Sequence, residues 1–250
     1  MDERRFFELD LKLVKLRQRR QGEDARTTLA FQARLELGWL YHDNALEGVV
    51  LSYREIEDAL DARPLADRRQ DAIYKDIRAH KAAIDFIKEL GQASASQQPS
   101  PITVALLKQL HDLLLPEAPP KGSTYRNNKP LHRNYHHEIV PPDRIPLQLR
   151  QFCDSLNEES NAMHPLTRAV NAHFDFMAIY PFAENNGKVA RLLMNLLLLR
   201  DGYPPVVIPN LERRRYYESL HDAEFLAELI VDSLNTYCDG ATHFFEDLAE

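Results

Sequence analysis

The chain has 250 residues, of which 44% are hydrophobic and 28% charged, and its formal net charge at pH 7 is −7. This length and composition are typical of a soluble globular protein with a full core. The acidic balance argues against broad nucleic-acid binding, and no apolar run approaches the ~18 residues that span a membrane.

The N-terminal residues and the two cysteines indicate the cellular compartment of the protein. The sequence from Met1 to Arg5, Met-Asp-Glu-Arg-Arg, lacks the apolar core of a secretory signal peptide. Cys153 and Cys238 lie far apart and belong to no metal or redox spacing motif. They are interpreted as reduced, buried thiols of a cytoplasmic protein.

The hydrophobic pattern predicts an all-α fold with at most one small hairpin and no internal repeat. Ser52 and Glu55 have the spacing of a capping box at the start of the third helix. The basic side chains of the first helix, interleaved with leucines, favour a solvated face over a nucleic-acid arm; they are Lys12, Lys15, Arg17, Arg19 and Arg20. Helices are predicted over residues 4–20, 26–43, 53–61, 67–91, 102–114, 145–158, 163–179, 187–202, 211–221 and 223–238.

Two segments depart from the helical pattern. Residues 91–100 form a low-complexity stretch, which predicts a flexible linker. Residues 120–142 are long and irregular, opening at Gly122 and closing at Pro141–Pro142, and such segments in a helical protein are usually functional or mobile. We expect a small hairpin in the second segment.

A short polar loop joins two apolar helices: Tyr180-Pro-Phe-Ala-Glu-Asn-Asn-Gly-Lys-Val-Ala-Arg191. A glycine-containing loop leading into a helix N-terminus binds anions, because the first backbone N–H groups lack partners and the helix dipole is positive there. Lys188 and Arg191 share one helix face, and Glu184 supplies a carboxylate suited to Mg²⁺. These features indicate a nucleoside triphosphate site. The alternative is an ordinary turn with solvated charges.

The loop resembles the signature of the Fic family, H-P-F-x-[DE]-G-N-G-R-x-x-R, whose members mostly transfer AMP from ATP to a protein hydroxyl. The flanks, from His164-Pro-Leu and from Leu192 to Pro205, also resemble that family, so the resemblance covers roughly residues 30–235. The matching loop positions are Pro181, Phe182, Glu184, Asn186, Gly187 and Arg191.

The resemblance implies an all-α Fic core with a β-hairpin flap and a set of site residues. Mg²⁺ would be held by Glu184, and ATP or another nucleotide would be bound through its phosphates. The flap would contain Tyr125 and Arg126 and would align a protein target by strand pairing. The residues implied to bind the phosphates are Asn185, Asn186, Gly187, Lys188 and Arg191.

Three positions depart from the family pattern. Lys188 replaces an arginine and keeps the charge without bidentate geometry. Asn185 replaces a glycine and is tolerated if the loop needs a positive φ, which Asn adopts more readily than most residues. Tyr180 replaces the histidine that acts as general base in the family. A phenol with pKa near 10 is protonated at neutral pH, and losing a base typically costs about 10²–10⁴-fold in rate.

The role of Tyr180 stays open, and so does the identity of a residue that could act as the base in its place. The ring is expected to pack inward and gate the site rather than act in catalysis. His132, His136 and His137 of the flap are alternatives as the base, although loop histidines are usually just solvated. His173 is interpreted as a core or surface residue rather than a replacement base.

The segment Asp43-Asn-Ala-Leu-Glu-Gly48 resembles the inhibitory motif of one Fic class, [ST]-x-x-x-E-[GN], with Asp43 departing at the first position. In that class the glutamate pairs with the second arginine of the signature, here Glu47 with Arg191. A guanidinium cannot serve a carboxylate and a phosphate at full strength, so Glu47 is predicted to inhibit. The alternative is a plain helix C-terminus with Gly48 in the left-handed conformation.

Three functions follow from the resemblance. The first is a protein adenylyltransferase whose activity is weak or altered because of Tyr180. The second is a hydrolase that removes AMP, with Glu47 activating water and Tyr180 donating a proton. The third is an inactive module that binds nucleotide and peptide.

The predicted organisation is an N-terminal helical region over residues 1–95, a Fic core over residues 96–240 and a C-terminal tail over residues 241–250. The expected partners are a nucleotide and a protein target bound along the flap. Neither nucleic acid nor a membrane is expected as a partner, and a homodimer is left open.

Overall fold

The computed structural model describes residues 3–61, 68–93, 99–117, 122–128, 139–158 and 163–247. Within these ranges the chain is helical and contains no strand, which confirms the all-α prediction. Short 3₁₀ turns, Pro142–Arg144 and Asn210–Glu212, precede the sixth and ninth helices. The helices are α1 (Glu3–Arg20), α2 (Ala25–Leu46), α3 (Tyr53–Leu60), α4 (Arg68–Ala93), α5 (Val104–Leu113), α6 (Ile145–Glu158), α7 (Pro165–Ile179), α8 (Asn186–Arg200), α9 (Arg213–Ser219) and α10 (Ala223–Asp247).

Helix α8 lies at the centre of the molecule. Every residue from Asn186 to Leu198 is buried, so the helix is enclosed on all sides. It packs against α7, α4 and α5. Because the polar loop leads directly into this helix, the loop is attached to a buried, close-packed element of the fold.

The N- and C-terminal helices close the opposite side of the core. Helix α1 packs on α10, and α10 in turn packs on α7. Phe31 of α2 contacts Phe245 of α10 with ring centroids 5.0 Å apart. One buried cluster therefore includes side chains from α1 to α10.

Several helix ends differ from the sequence predictions. Helix α2 continues beyond residue 43 to Leu46, and α10 continues beyond residue 238 to Asp247. Residues 241–247 therefore lie in a helix, and Phe245 is fully buried. The predicted capping box at α3 is confirmed: Ser52 accepts from the Glu55 backbone N–H, and Glu55 accepts from the Ser52 backbone N–H.

The predicted linker begins later than expected. Gly91 lies inside α4, which ends at Ala93, while residues 94–98 lie outside the described ranges. A Cβ on Gly91 would stand 2.7 Å from the Cβ of Leu199, so the glycine permits close approach of α4 to α8. From the sequence alone Gly91 has no evident role, and the close packing of α8 against α4 explains why a glycine lies there.

The predicted hairpin falls largely outside the described ranges. Residues 122–128 and 139–141 are described and contain no strand, whereas 118–121 and 129–138, with His132, His136 and His137, are not described. The hairpin thus stays a prediction. Both cysteines are free and buried, as predicted. None of the described helices is long and apolar enough to cross a membrane.

Candidate functional site

The loop between α7 and α8 contains two unusual backbone positions. Tyr180 has φ 49° and Asn185 has φ 58°, and they are the two non-glycine residues with positive φ in the described part of the chain. The loop thus needs a positive φ at Asn185, the condition under which asparagine is tolerated in place of glycine. Tyr180 is bulky, so its left-handed conformation is strained and must be held by its surroundings.

Side-chain hydrogen bonds hold this loop in shape. Asn186 accepts from the backbone N–H of Phe182 at 2.9 Å and donates to the carbonyl of Phe182 at 2.8 Å. The Phe182 ring stacks on His111 with centroids 4.0 Å apart. His111 Nε2 lies 3.2 Å from the Glu184 carbonyl oxygen. The loop is therefore bound to α5 as well as to the two helices it joins.

Arg126 ties the start of the predicted flap to the end of α7. Its guanidinium donates to the carbonyls of Tyr180, Asn128, Ile179 and Val140. The residue is only 4% exposed. Arg126 therefore supports the flap from inside. Tyr125, the other predicted flap residue, is half-buried, with Lys108 Nζ 4.6 Å from its ring centroid.

The Glu47 carboxylate occupies the N-terminus of α8. A Cβ built on Gly187 would stand 2.6 Å from Glu47 Oε1, so only glycine leaves room for the carboxylate there. Arg191 Nη2 donates to the same oxygen at 2.7 Å. The contact expected between Glu47 and Arg191 is present, and a carboxylate fills the anion position that the sequence predicted.

Arg191 is held on three sides. Its Nε donates to Asp43 Oδ1, its Nη1 donates to the Tyr216 hydroxyl at 3.0 Å, and its Nη2 donates to Glu47. The Arg191 side chain is 2% exposed and that of Asp43 is 5% exposed. From the sequence, Asp43 is only a departure from the motif. The structure makes it a second carboxylate on Arg191.

Lys188 lies beside this pair. Its Nζ donates to Asn44 Oδ1 at 2.9 Å, and Asn44 donates to the Leu40 carbonyl one turn back in α2. Burial lowers the Lys188 pKa, although the charges of Glu47 and Asp43 oppose that shift. The site thus contains two cations from α8 and two carboxylates from the end of α2.

The ionisation of Asp43 follows from its partners. Burial alone would raise its pKa, but the charge of Arg191 and the hydrogen bond with His80 lower the pKa to about 2. The Arg191 pKa rises well above its ordinary value, because Asp43, Tyr216 and Glu47 outweigh its burial. Asp43 and Arg191 are therefore both charged at neutral pH.

Two buried histidines support the site from behind. His80 Nε2 lies 3.1 Å from Asp43 Oδ2, and burial lowers the His80 pKa. His173 Nε2 lies 3.1 Å from the Tyr216 hydroxyl, and burial lowers the His173 pKa to about 3. His173 is thus a neutral core residue, as the sequence interpretation had it.

Tyr180 is 4% exposed. Burial and the charge of Glu47 raise its pKa above the ordinary value of 10, while its hydrogen bond with Asn186 lowers it. The phenol therefore stays neutral. It is a poor base for a substrate hydroxyl, and a raised pKa also makes it a weaker acid.

Glu184 suits a metal that also binds phosphate. Its side chain is exposed in the loop, next to the α8 N-terminus. Mg²⁺ is usually bound by one or two carboxylates together with substrate phosphates. The described residues contain no group of three or more His, Cys, Asp or Glu that could hold a metal ion. The Glu184 carboxylate is an oxygen ligand of the kind that Mg²⁺ takes in proteins.

The end of α2, which carries Glu47, is anchored by α9. The Leu46 carbonyl accepts from Arg213 Nε and from the Tyr217 hydroxyl, each at 2.8 Å. Gly48 follows with φ 91°, as the plain C-terminus alternative predicted. Glu47 thus lies at a helix end and on Arg191 at once. Sequence reasoning missed Arg213, Tyr216 and Tyr217, since only folding brings α9 beside α2.

Comparison with protein families gives a match to the Fic/DOC family over residues 101–198. The protein adenylyltransferases Fic of Drosophila willistoni and Drosophila mojavensis are each 31% identical over 222 residues, or 88% of this chain. The alignments cover 43% and 42% of those relatives. The chain therefore spans less than half the length of the curated relatives it matches.

Solved structures show the same fold. A Fic domain containing signaling protein from Bacteroides thetaiotaomicron superposes with a TM-score of 0.78 at 21% identity, covering 96% of this chain and 97% of that one. Fic-1 of Caenorhabditis elegans, residues 134–508, superposes with a TM-score of 0.75 at 22% identity, covering 94% and 70%. The all-helical arrangement described here is that of these chains.

Proposed function

Because the chain belongs to the Fic/DOC family, we propose that it is a protein adenylyltransferase of reduced activity, which transfers AMP from ATP to a protein hydroxyl. One observation carries the proposal: the Glu47 carboxylate lies in the anion position formed by Gly187 and Arg191. Phosphates bind at helix N-termini of this kind.

The geometry of α8 supports the proposed phosphate-binding residues. Asn185 starts the helix, and the backbone N–H groups of Asn186 and Gly187 are among those without an intrahelical partner. Lys188 and Arg191 supply positive charge beside them. Glu184 would hold Mg²⁺, which neutralises phosphate charge and orients the leaving group.

The reaction requires a proton acceptor that the site supplies poorly. The target hydroxyl attacks the α-phosphorus of ATP, pyrophosphate leaves, and the hydroxyl proton must be removed. Tyr180 stands where the family signature has histidine, and its phenol stays neutral. We expect a rate about 10²–10⁴-fold below that of an enzyme with a positioned base.

Glu47 restrains the site through Arg191. When the carboxylate leaves, Nη2 of Arg191 becomes free for a phosphate oxygen, while Asp43 and Tyr216 still hold the rest of the guanidinium. Nucleotide and Glu47 therefore compete for one donor. The restraint is autoinhibitory in this proposal.

The target is proposed to bind along the predicted flap, whose base Arg126 holds by hydrogen bonds to both of its described ends. Backbone pairing with a target strand would align its hydroxyl without demanding much target sequence. Two free, buried cysteines support a reducing compartment, consistent with the cytoplasm.

A nucleotide-binding module without catalysis is the second candidate. The observation that favours it is the raised Tyr180 pKa, because the same phosphate site lacks a proton acceptor. That pKa also disfavours the AMP-removing hydrolase, which would need Tyr180 as an acid. The module and the transferase share one phosphate site and differ only in whether AMP is transferred to a protein hydroxyl.

The test uses the native chain and Glu47→Gly, each incubated with Mg²⁺, a cell lysate and ATP labelled on either the α- or the γ-phosphate. The transferase predicts protein labelling from α-labelled ATP only, stronger in Glu47→Gly. Glu47→Asp keeps the charge and serves as the matched control, and Arg191→Ala serves as the inactive control.

Calorimetry with Mg·ATP separates the candidates. Heat of binding in Glu47→Gly without protein labelling supports the module and contradicts the transferase. No heat with ATP, GTP, CTP or UTP in either variant contradicts both, since both require the phosphate site.

A further inference from the structure

A second cavity lies away from the α7–α8 loop. It has a volume of about 340 Å³ and is bounded by α1, α2, α4, α10 and residues 202–205. That volume falls in the range of small-molecule sites, which are mostly apolar with a few polar groups. Its apolar wall includes Leu13, Leu16, Phe31, Leu35, Trp39 and Tyr203.

The charged residues of this cavity are mainly basic. Arg17, Arg20 and Lys88 line it, and Glu36 is the acidic residue among its lining side chains. Glu36 is already paired with Lys88, and it also contacts Lys81 at 3.2 Å. These pairs lower the Glu36 pKa despite burial. The guanidiniums of Arg17 and Arg20 therefore remain as excess positive charge at the cavity.

Arg17 and Arg20 belong to the basic stretch that the sequence assigned to a solvated face. Arg17 is exposed, as that interpretation had it, and Arg20 is half-buried. Both also line the cavity, with Arg17 donating to the Gly202 carbonyl and the Arg20 guanidinium carbon 5.7 Å from the Phe31 ring centroid. Arg20 Nε is buried and has no hydrogen-bond partner within the described residues. A buried donor of this kind costs free energy unless something accepts from it.

We propose that this cavity binds a small amphipathic carboxylate, with its aliphatic or aromatic body against Trp39 and its carboxylate near Arg17 and Arg20. Guanidiniums bind carboxylates by short, charge-assisted hydrogen bonds. The apolar wall would contact the aliphatic or aromatic body of the ligand. The excess positive charge excludes a ligand with a cationic head group. The proposal does not depend on the adenylyltransferase function, because no lining residue belongs to the phosphate site.

The chain contains its own reporter for this site. Trp39 is the single tryptophan of the protein, it is 1% exposed, and it lines the cavity. Decanoate is expected to change its fluorescence in a saturable way. Affinity should rise about fourfold per added methylene through hexanoate, octanoate and decanoate, since each methylene leaves water.

Ligands with other head groups and variants of Arg17 and Arg20 test whether the positive charge of the cavity determines binding. 1-Decanol and decyltrimethylammonium, used below the micelle range, are expected to bind at least about tenfold more weakly than decanoate, since neither pairs with a guanidinium. The double variant Arg17→Gln/Arg20→Gln should lose about the same factor. Lys15→Gln removes one charge from the exposed face of the same helix and should bind decanoate like the native chain.

Leu35→Phe adds volume to the cavity wall and leaves both arginines in the sequence. It should weaken the binding of decanoate, 1-decanol and decyltrimethylammonium, with thermal unfolding confirming that each variant folds. Three outcomes overturn the proposal. They are Trp39 fluorescence that does not change saturably with decanoate, equal affinity for decanoate and 1-decanol, and an affinity of Leu35→Phe for decanoate that equals that of the native chain.

Discussion

Arg191 is the residue on which the site depends. Its three nitrogens donate to Asp43, Tyr216 and Glu47, in a pocket where it is almost wholly buried. Glu47 is the most exposed of the charged partners, at 27% of its side chain against 5% for Asp43. The proposed exchange with phosphate therefore concerns the more exposed carboxylate, Glu47, whereas the buried Asp43 carboxylate holds the guanidinium in place.

Asp43→Asn is expected to tighten Mg·ATP binding by about tenfold. The amide oxygen still accepts from Arg191 Nε, but one negative charge leaves the phosphate site, and unit charges interact by a few kcal/mol at 4 Å in a surrounding of intermediate dielectric. Calorimetry measures the change. Asp239→Asn, an exposed aspartate paired with Lys12, is the matched control. Equal or weaker binding in Asp43→Asn would contradict the charge argument.

Tyr180→His in the Glu47→Gly background is expected to increase protein labelling from α-labelled ATP by about 10²–10⁴-fold, because an imidazole is available as a base near neutral pH. Tyr180→Phe keeps the ring and removes the hydroxyl, so it should stay at the parental level. If the histidine variant also remains there, the base is not what limits the reaction.

At the scale of elements, the end of α2 is held by hydrogen bonds to two other helices. It lies on α8 through Glu47, Asp43 and Asn44, and α9 holds its last carbonyl through Arg213 and Tyr217. In the proposed inhibition, release of Glu47 would depend on α9 as well as on the nucleotide. Changes in α9 would then alter the strength of that inhibition.

Arg213→Ala is expected to tighten Mg·ATP binding by about three- to tenfold, less than Glu47→Gly, since it removes one hydrogen bond that keeps the helix end in place. Arg214→Ala alters the neighbouring residue, whose side chain is 90% exposed, and should change nothing. Nucleotide titrations of the two variants under the same conditions decide the matter. An Arg213→Ala affinity equal to the native value would show that α9 does not restrain the helix end.

At the scale of the whole molecule, the N-terminal helices and the helices around the loop share one core. Helix α1 packs on α10, α4 packs on α8, and the buried cluster joins them. The site is formed where this core encloses two charged groups, Asp43 and Arg191, together with two neutral histidines, His80 and His173. Such burial makes the stability of the entire fold sensitive to pH.

His173 should make the fold less stable in acid. Its pKa is lowered to about 3 in the fold from 6.5, so between these values the unfolded chain binds the extra proton. The free energy of unfolding then falls as pH falls, by about 1.4 kcal/mol per pH unit well below 6.5. Urea unfolding between pH 7 and pH 4 should show a shallower fall in His173→Asn.

The absolute stability of that variant also changes through lost packing, so the slopes are compared rather than the values. His243→Asn removes a histidine whose side chain is 78% exposed and should keep the native slope. Identical slopes for His173→Asn and the native chain would mean that His173 is charged in the fold.

The sequence by itself determined the helical class, the positions of most helices and the residues of the loop from Tyr180 to Arg191. Helical periodicity, capping spacing and a glycine before a helix are local patterns, readable along the chain. The contact of Glu47 with Arg191 was expected from the resemblance to the Fic inhibitory motif, and Asn185 was compatible with the positive φ that it adopts.

Only the tertiary structure decided that Asp43 is a second carboxylate on Arg191, that Tyr216 and Arg213 reach the site from α9, and that Arg126 points inward. It also placed Arg17 and Arg20 beside a cavity. These facts depend on which helices meet and on how deeply each charge is buried. Burial and partner geometry set both pKa values and hydrogen bonds, and neither is encoded in the spacing of residues along one helix.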